Sequence, residues 1–195
     1  KTVIEQIPDN PEPYLYLGIF QEDLKQYEAA LGSIRKGLEV DPDNVQLLFR
    51  LGVIFDKAGN KDECITTMRK VIELDPEHAN ALNYLGYTYA ELGENLKEAE
   101  DLIKEALKFK PEDGYITDSL GWIYFKKARY AEALKTLLRA VSLVPDDPII
   151  LEHTGDAYLK NNNRHKALEF YRRSLKLKKE DTADIEKKIR ELSEE

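Results

Sequence analysis

The chain has 195 residues, a formal net charge of −8, 34% charged and 42% hydrophobic side chains and a mean hydropathy of −0.54. This is the balance of a folded chain, and no apolar run approaches the ~18 residues of a membrane-spanning helix. Residues 1–120 hold 13 basic against 24 acidic side chains and residues 121–195 hold 16 against 13, so most of the length repels a phosphate backbone and argues against nucleic-acid binding.

Two residue types recur in step. Gly18, Gly52, Gly86, Gly121 and Gly155 follow one another at 34, 34, 35 and 34 residues, and Pro8, Pro42, Pro76, Pro111 and Pro145 keep the same spacing, including the single longer step. A period of 34 with apolar residues three and four apart means one helix-turn-helix unit per repeat. Residues 1–10 are expected to be the end of a truncated repeat, on Val3, Ile4 and Ile7 before Pro8, with further repeats ahead of them in a longer parent. Repeat 1 spans 11–44, with Asn10 as helix cap and Pro11 in the first helical position. Its Gly18 is read as a close approach between helices, which outweighs the helix-propensity cost of about 1 kcal/mol.

Repeat 2 spans 45–78, and the lone Cys64 takes one of its small packing positions, as a buried rather than reactive thiol. Repeat 3 spans 79–113 and carries the extra residue within Gly93-Glu94-Asn95-Leu96, where glycine and asparagine tolerate a left-handed backbone. Repeat 4 spans 114–147 and repeat 5 spans 148–181. Residues 182–195 read as a capping helix: Ile185, Ile189 and Leu192 form one narrow apolar stripe on an otherwise charged segment. The basic residues Arg172, Arg173, Lys176, Lys178 and Lys179 read as a solvated helix face.

Leu-Gly or Thr-Gly, then in most periods a large side chain three residues on, then a small residue (Ala30, Cys64, Ala99, Ala133 and Ala167), then Pro except at Lys179 of repeat 5, resembles the tetratricopeptide repeat family. The resemblance implies an all-α, right-handed α-solenoid acting through protein–protein contacts, with the first helices of successive repeats lining a concave groove. On the groove positions of that family this chain carries Leu15, Ile19, Phe49 and Val53, then Asn80, Asn83, Tyr87, Tyr115, Trp122 and Phe125, and then the acidic Asp118, Glu152 and Asp156. An apolar or aromatic peptide or helix segment followed by basic residues is the expected ligand, with asparagines taking backbone amides and Tyr or Trp as anchors. Trp122 and Tyr87 packing as core is the alternative. Chaperone-binding members clamp a carboxylate with Lys, Asn and Arg; Leu15, Ile19, Phe49 and Val53 stand there instead, and Arg50 is the single nearby cation.

Catalytic signals are absent from the sequence. His78, His153 and His165 form no metal-ligand spacing, and there is no phosphate-binding glycine loop. His153 and Asp156, at i and i+3, read as an ion pair on a helix surface. No enzyme activity, cofactor, metal, nucleic acid or direct membrane insertion is expected. Self-association through an exposed N-terminal end, or assembly within a larger parent, is the alternative function, and RNA binding by helical repeats is the least favoured. The wording of the repeats also resembles bacterial members, many of them envelope-associated, which leaves a cytoplasmic or a periplasmic location open.

Overall fold

The computed structural model describes residues 10–193, so the truncated repeat expected over residues 1–9 lies outside the described residues. Every described element is helical: α1 Glu12–Asp23, α2 Tyr27–Val40, α3 Val45–Lys57, α4 Lys61–Leu74, α5 Ala79–Leu92, α6 Leu96–Phe109, α7 Gly114–Lys126, α8 Tyr130–Leu143, α9 Pro148–Lys160, α10 Arg164–Leu177 and α11 Ala183–Ser193. The chain divides into two compact units, Lys1–Thr88 and Tyr89–Glu195, with α5 running from one into the other.

The turns inside each helix pair follow one rule. Gln26, Asn60, Glu94, Arg129 and Asn163 each donate a backbone N–H to the carbonyl five residues back, on Gln21, Phe55, Tyr89, Tyr124 and Tyr158, at 2.8–3.0 Å. The residue before each donor is left-handed: Lys25 (φ 58°), Gly59 (85°), Gly93 (72°), Ala128 (57°) and Asn162 (61°). This closing geometry satisfies the last carbonyls of the first helix. The extra residue of the long step is Asn95, which follows the closing pair with a second left-handed backbone, φ 47°.

Starts are set by side chains. Asn44, Asp113 and Asp147 accept backbone N–H groups at the beginnings of α3, α7 and α9, and the His78 Nδ1 accepts from Ala81 N at 3.0 Å for α5. At α1 the cap position is Pro11, while the Asn10 side chain accepts from Glu12 N at 2.9 Å. The proline turns gain a tie to a later helix: Lys70 reaches the Pro42 carbonyl at 3.3 Å, Arg139 that of Pro111 at 2.8 Å and Arg173 that of Pro145 at 3.2 Å.

In the first unit the core runs through Ile34, Leu47, Ile54, Met68 and Val71. Cys64 is fully buried there, and burial, with Asp56 adding to it, pushes its thiol up to about 11, so it packs and does not react. In the second unit Tyr124, Ala133, Leu137 and Ala157 form one cluster, and Ala167, Tyr171 and Ile185 form another, with Ile189 and Leu192 of α11 packed against it. The charged last helix thus buries its single apolar stripe.

The helix pairs approach at glycine. A Cβ on Gly52 would stand 2.7 Å from Met68 Cε, on Gly121 2.6 Å from Leu137 Cγ and on Gly155 2.6 Å from Tyr171 Cδ1, while one on Gly18 would collide with Ile34. Gly155→Leu is expected to destabilise by about 1–3 kcal/mol or more, because the buried Tyr171 ring cannot yield, as denaturant melts would report. Ala128 is exposed and left-handed; relief of roughly 1–2 kcal/mol of strain exceeds the roughly 0.4–1 kcal/mol of unfolded-state entropy. Ala128→Gly is therefore expected to raise stability by about 0.5–1 kcal/mol, and a loss in the same melts would contradict the strain.

Candidate partner-binding faces of the two units

In the first unit, Leu15 and Ile19 lie half-buried on α1, Phe49 is half-buried and Val53 buried on α3, and Asn80 is exposed on α5 with Asn83 and Tyr87 half-buried beside it. Phe49 is held by aromatic contacts, its ring 5.0 Å from His78 and edge-on to Tyr84 at 6.2 Å. A cavity of about 190 Å³ opens beside Leu15 between the starts of α1 and α3, lined also by Glu12, Tyr16 and Gln46. The Asn83 Oδ1 is buried with no hydrogen-bond partner, and no other buried side-chain polar atom among the described residues shares that condition. Arg50 is engaged: it binds Glu22 at 3.0 Å, and Lys57 binds the same carboxylate at 2.6 Å.

In the second unit, Tyr115 is 57% exposed, and Trp122, Phe125, Glu152 and Asp156 are half-buried. Trp122 is tied down on several sides. Its ring stacks on Phe125 at 4.8 Å and on His153 at 4.0 Å, Lys126 lies 5.1 Å over it, and its N–H donates to Glu91 at 2.8 Å. The indole is therefore a packed part of this face, and Tyr115 is its exposed aromatic.

The acidic residues are already paired. Asp118 is buried, and its oxygens lie 3.0 and 3.1 Å from His153 Nδ1. The surface pair expected between His153 and Asp156 does not form. His153 is itself buried and meets the carboxylate of the neighbouring helix α7, whereas Asp156 accepts from the Tyr171 hydroxyl at 2.7 Å and from Lys188 at 2.8 and 2.9 Å. Glu152 holds Lys178 at 2.7 Å and Lys188 at 3.0 Å. Burial opposes its charge, but these ammonium groups keep its carboxyl below the usual range. Sequence reasoning missed a further carboxylate, Glu100, which sits buried beside Lys104, Lys127 and Arg129 at 2.6, 2.5 and 3.1 Å. Burial again opposes charge, and the Lys104 and Lys127 hydrogen bonds hold its carboxyl down at about 2.

Among the described residues no group of three His, Cys, Asp or Glu side chains could hold a metal ion, and no helix is long and apolar enough to cross a membrane.

Residues 85–185 match a tetratricopeptide repeat family model, and two further models of the same repeat match residues 67–101 and 45–78. The chain belongs to the tetratricopeptide repeat family. As a class, tetratricopeptide repeats are protein-interaction scaffolds. No curated protein sequence matches this one. Solved structures share the fold. A tetratricopeptide repeat protein of Thermus thermophilus is 20% identical over 95% of this chain and 100% of that one, with a TM-score of 0.79. PilW, a type IV pilus biogenesis factor, is 16% identical over 94% and 84%, with 0.85. The APC/C Cut9–Hcn1 hetero-tetramer structure contains a chain 19% identical over 97% of this one, with 0.89; this tetratricopeptide array spans 38% of that chain.

The buried His153 reports on its own charge. Burial disfavours the imidazolium, but Asp118 beside it, with Asp156 and Glu91 further off, raises its pKa above the usual value. Its contribution to stability is therefore full below about pH 6.5 and is lost as pH rises through the higher folded-state pKa. An imidazolium stacked on an indole quenches it, so emission of the single Trp122 is expected to rise with pH across that window and to stay flat in His153→Gln. A pH-independent wild-type signal would contradict a titrating pair. Glu100 acts with the opposite sign: its stabilisation is lost as pH falls from about 4.5 towards 2.

Proposed function

We propose that this tetratricopeptide array is a non-catalytic interaction scaffold that captures an extended peptide or helix segment on the outward faces of its first helices. The working division is five helix pairs, 11–44, 45–78, 79–113, 114–147 and 148–181, with 182–195 as a cap. The half-buried Leu15, Ile19 and Phe49 receive apolar side chains in the first unit, where Val53 is buried and out of reach, and Tyr115 anchors the ligand in the second.

The observation that carries this reading is Asn83. A buried amide oxygen without a donor costs about 1–3 kcal/mol; the Asn83 side chain is only half-buried as a whole, and a rotamer turned outward would let a backbone N–H of a bound peptide remove that cost. Asn80, exposed, and Tyr87, half-buried, stand on the same helix. An envelope location in a bacterium belongs to the same reading and is supported by the likeness to PilW. A second reading, assembly with another copy, rests on Tyr16 and Phe20, each 61% exposed and one helical turn apart on α1, with Leu24 beyond them.

Capture from lysate with the wild-type chain, Asn83→Ala, Tyr115→Ala and Phe20→Ser tests both. Proteins held by the wild type and lost, with helicity intact, by the first two variants support the peptide face. Equal capture by all would overturn it, and recovery of the chain's own copies, lost only by Phe20→Ser, would favour assembly.

A further inference from the structure

The ammonium group of Lys188, from the last helix, sits in a built cage. Both Asp156 oxygens lie within 2.9 Å and Glu152 Oε1 at 3.0 Å, and the face of the Tyr171 ring is 5.4 Å away. The Tyr171 hydroxyl donates to Asp156 at 2.7 Å and fixes that carboxylate, while Lys178 holds the other oxygen of Glu152 at 2.7 Å. Two oriented carboxylates and an aromatic face are what a primary ammonium needs when it leaves water. The cage carboxylates stand on α9, a first helix, its aromatic face on α10, and its occupant comes from the chain itself.

We propose that Glu152, Asp156 and Tyr171 form a lysine-reading site for the partner peptide, with Lys188 as a resident stand-in that a ligand lysine displaces. The site deepens the scaffold reading above and rests on it. The two parts of α11 behave differently. Its backbone is anchored by fully buried Ile185, whereas the Lys188 side chain is one-third exposed and hangs on a flexible four-carbon stem. The ammonium leaves while the helix stays. Lysine rather than arginine is the matching residue, because the present occupant is a point charge bonded to oxygens of two different carboxylates instead of a planar fork on one. Displacement exchanges one ammonium for another, so the resident lysine lowers the affinity of every lysine ligand and leaves binding to the rest of the array to decide which one enters.

The test uses the whole chain and the probe acetyl-Ala-Lys-Ala-amide, with its norleucine counterpart as control, followed by NMR titration. Lys188→Ala is expected to bind the lysine probe at least about tenfold more tightly than the wild type, and the double variant Lys188→Ala, Asp156→Asn is expected to lose that gain. Lys188→Met, which keeps an unbranched side chain of similar length but no charge or donor, gives the same reading should the alanine variant loosen α11. Equal binding by wild type and both Lys188 variants, or equal binding of the norleucine probe, would overturn the cage. Because the probe carries no apolar segment, failure here leaves the Asn83 result standing, and the reverse also holds.

Discussion

The constraint on which the rest depends is the contact between a glycine backbone and one large side chain, made by Gly18 and Gly52 in the first unit and by Gly121 and Gly155 in the second. At Gly52, Gly121 and Gly155 a single added carbon would stand 2.5–2.7 Å from a side-chain atom of Met68, Leu137 or Tyr171, so a large side chain of the second helix rests directly on the glycine backbone of the first. Close helices need short, sharply closed turns, and the left-handed residue with its backbone bond to the carbonyl five residues earlier supplies one each time. Ala128 and Lys25 accept an unfavourable backbone to keep that closure. With the second helix held on one side, the first helix presents a fixed row of side chains on the other, and a fixed row is what a binding surface requires.

Charge is arranged by the same packing. The acidic balance suggests a surface rich in free carboxylates, yet Glu22, Glu100, Asp118, Glu152 and Asp156 all sit next to cations or a histidine. Most of the partners come from another helix, because a carboxylate moved out of water needs charged hydrogen bonds at close range. These acids hold helices together. The acid-to-base recognition expected at the far end of the array is therefore met from inside, and an incoming basic residue has to compete for it.

The helical class and the family were legible because a glycine and a proline ladder share one period, and each has a direct physical duty: close approach for Gly18 and its equivalents, a turn tied by a later basic residue for Pro42, Pro111 and Pro145. The burial of Cys64 was legible from the small-residue position it takes in the family's repeat, and the apolar stripe of α11 from helical spacing. His153 was not. Spacing along one helix points to Asp156, but a buried ring answers to the helix packed against it, and Asp118 lies 35 residues back. Glu22 and Arg50 are 28 apart and Lys188 and Glu152 are 36 apart, so in a repeat chain the useful search for partners is about one period away. The unpartnered oxygen of Asn83 leaves no trace in composition or period, since it depends on what the fold withholds.

The most direct measurement on the binding face is hydroxyl-radical footprinting of the chain with and without its captured partner, read residue by residue. Protection is expected at Phe49 and Tyr87 in the first unit and at Tyr115 in the second, with the second-helix residues Phe109, Leu138 and Leu177, all partly exposed, left unchanged. Protection confined to those second-helix residues would contradict the account and move the interaction to the opposite side of the helix pairs.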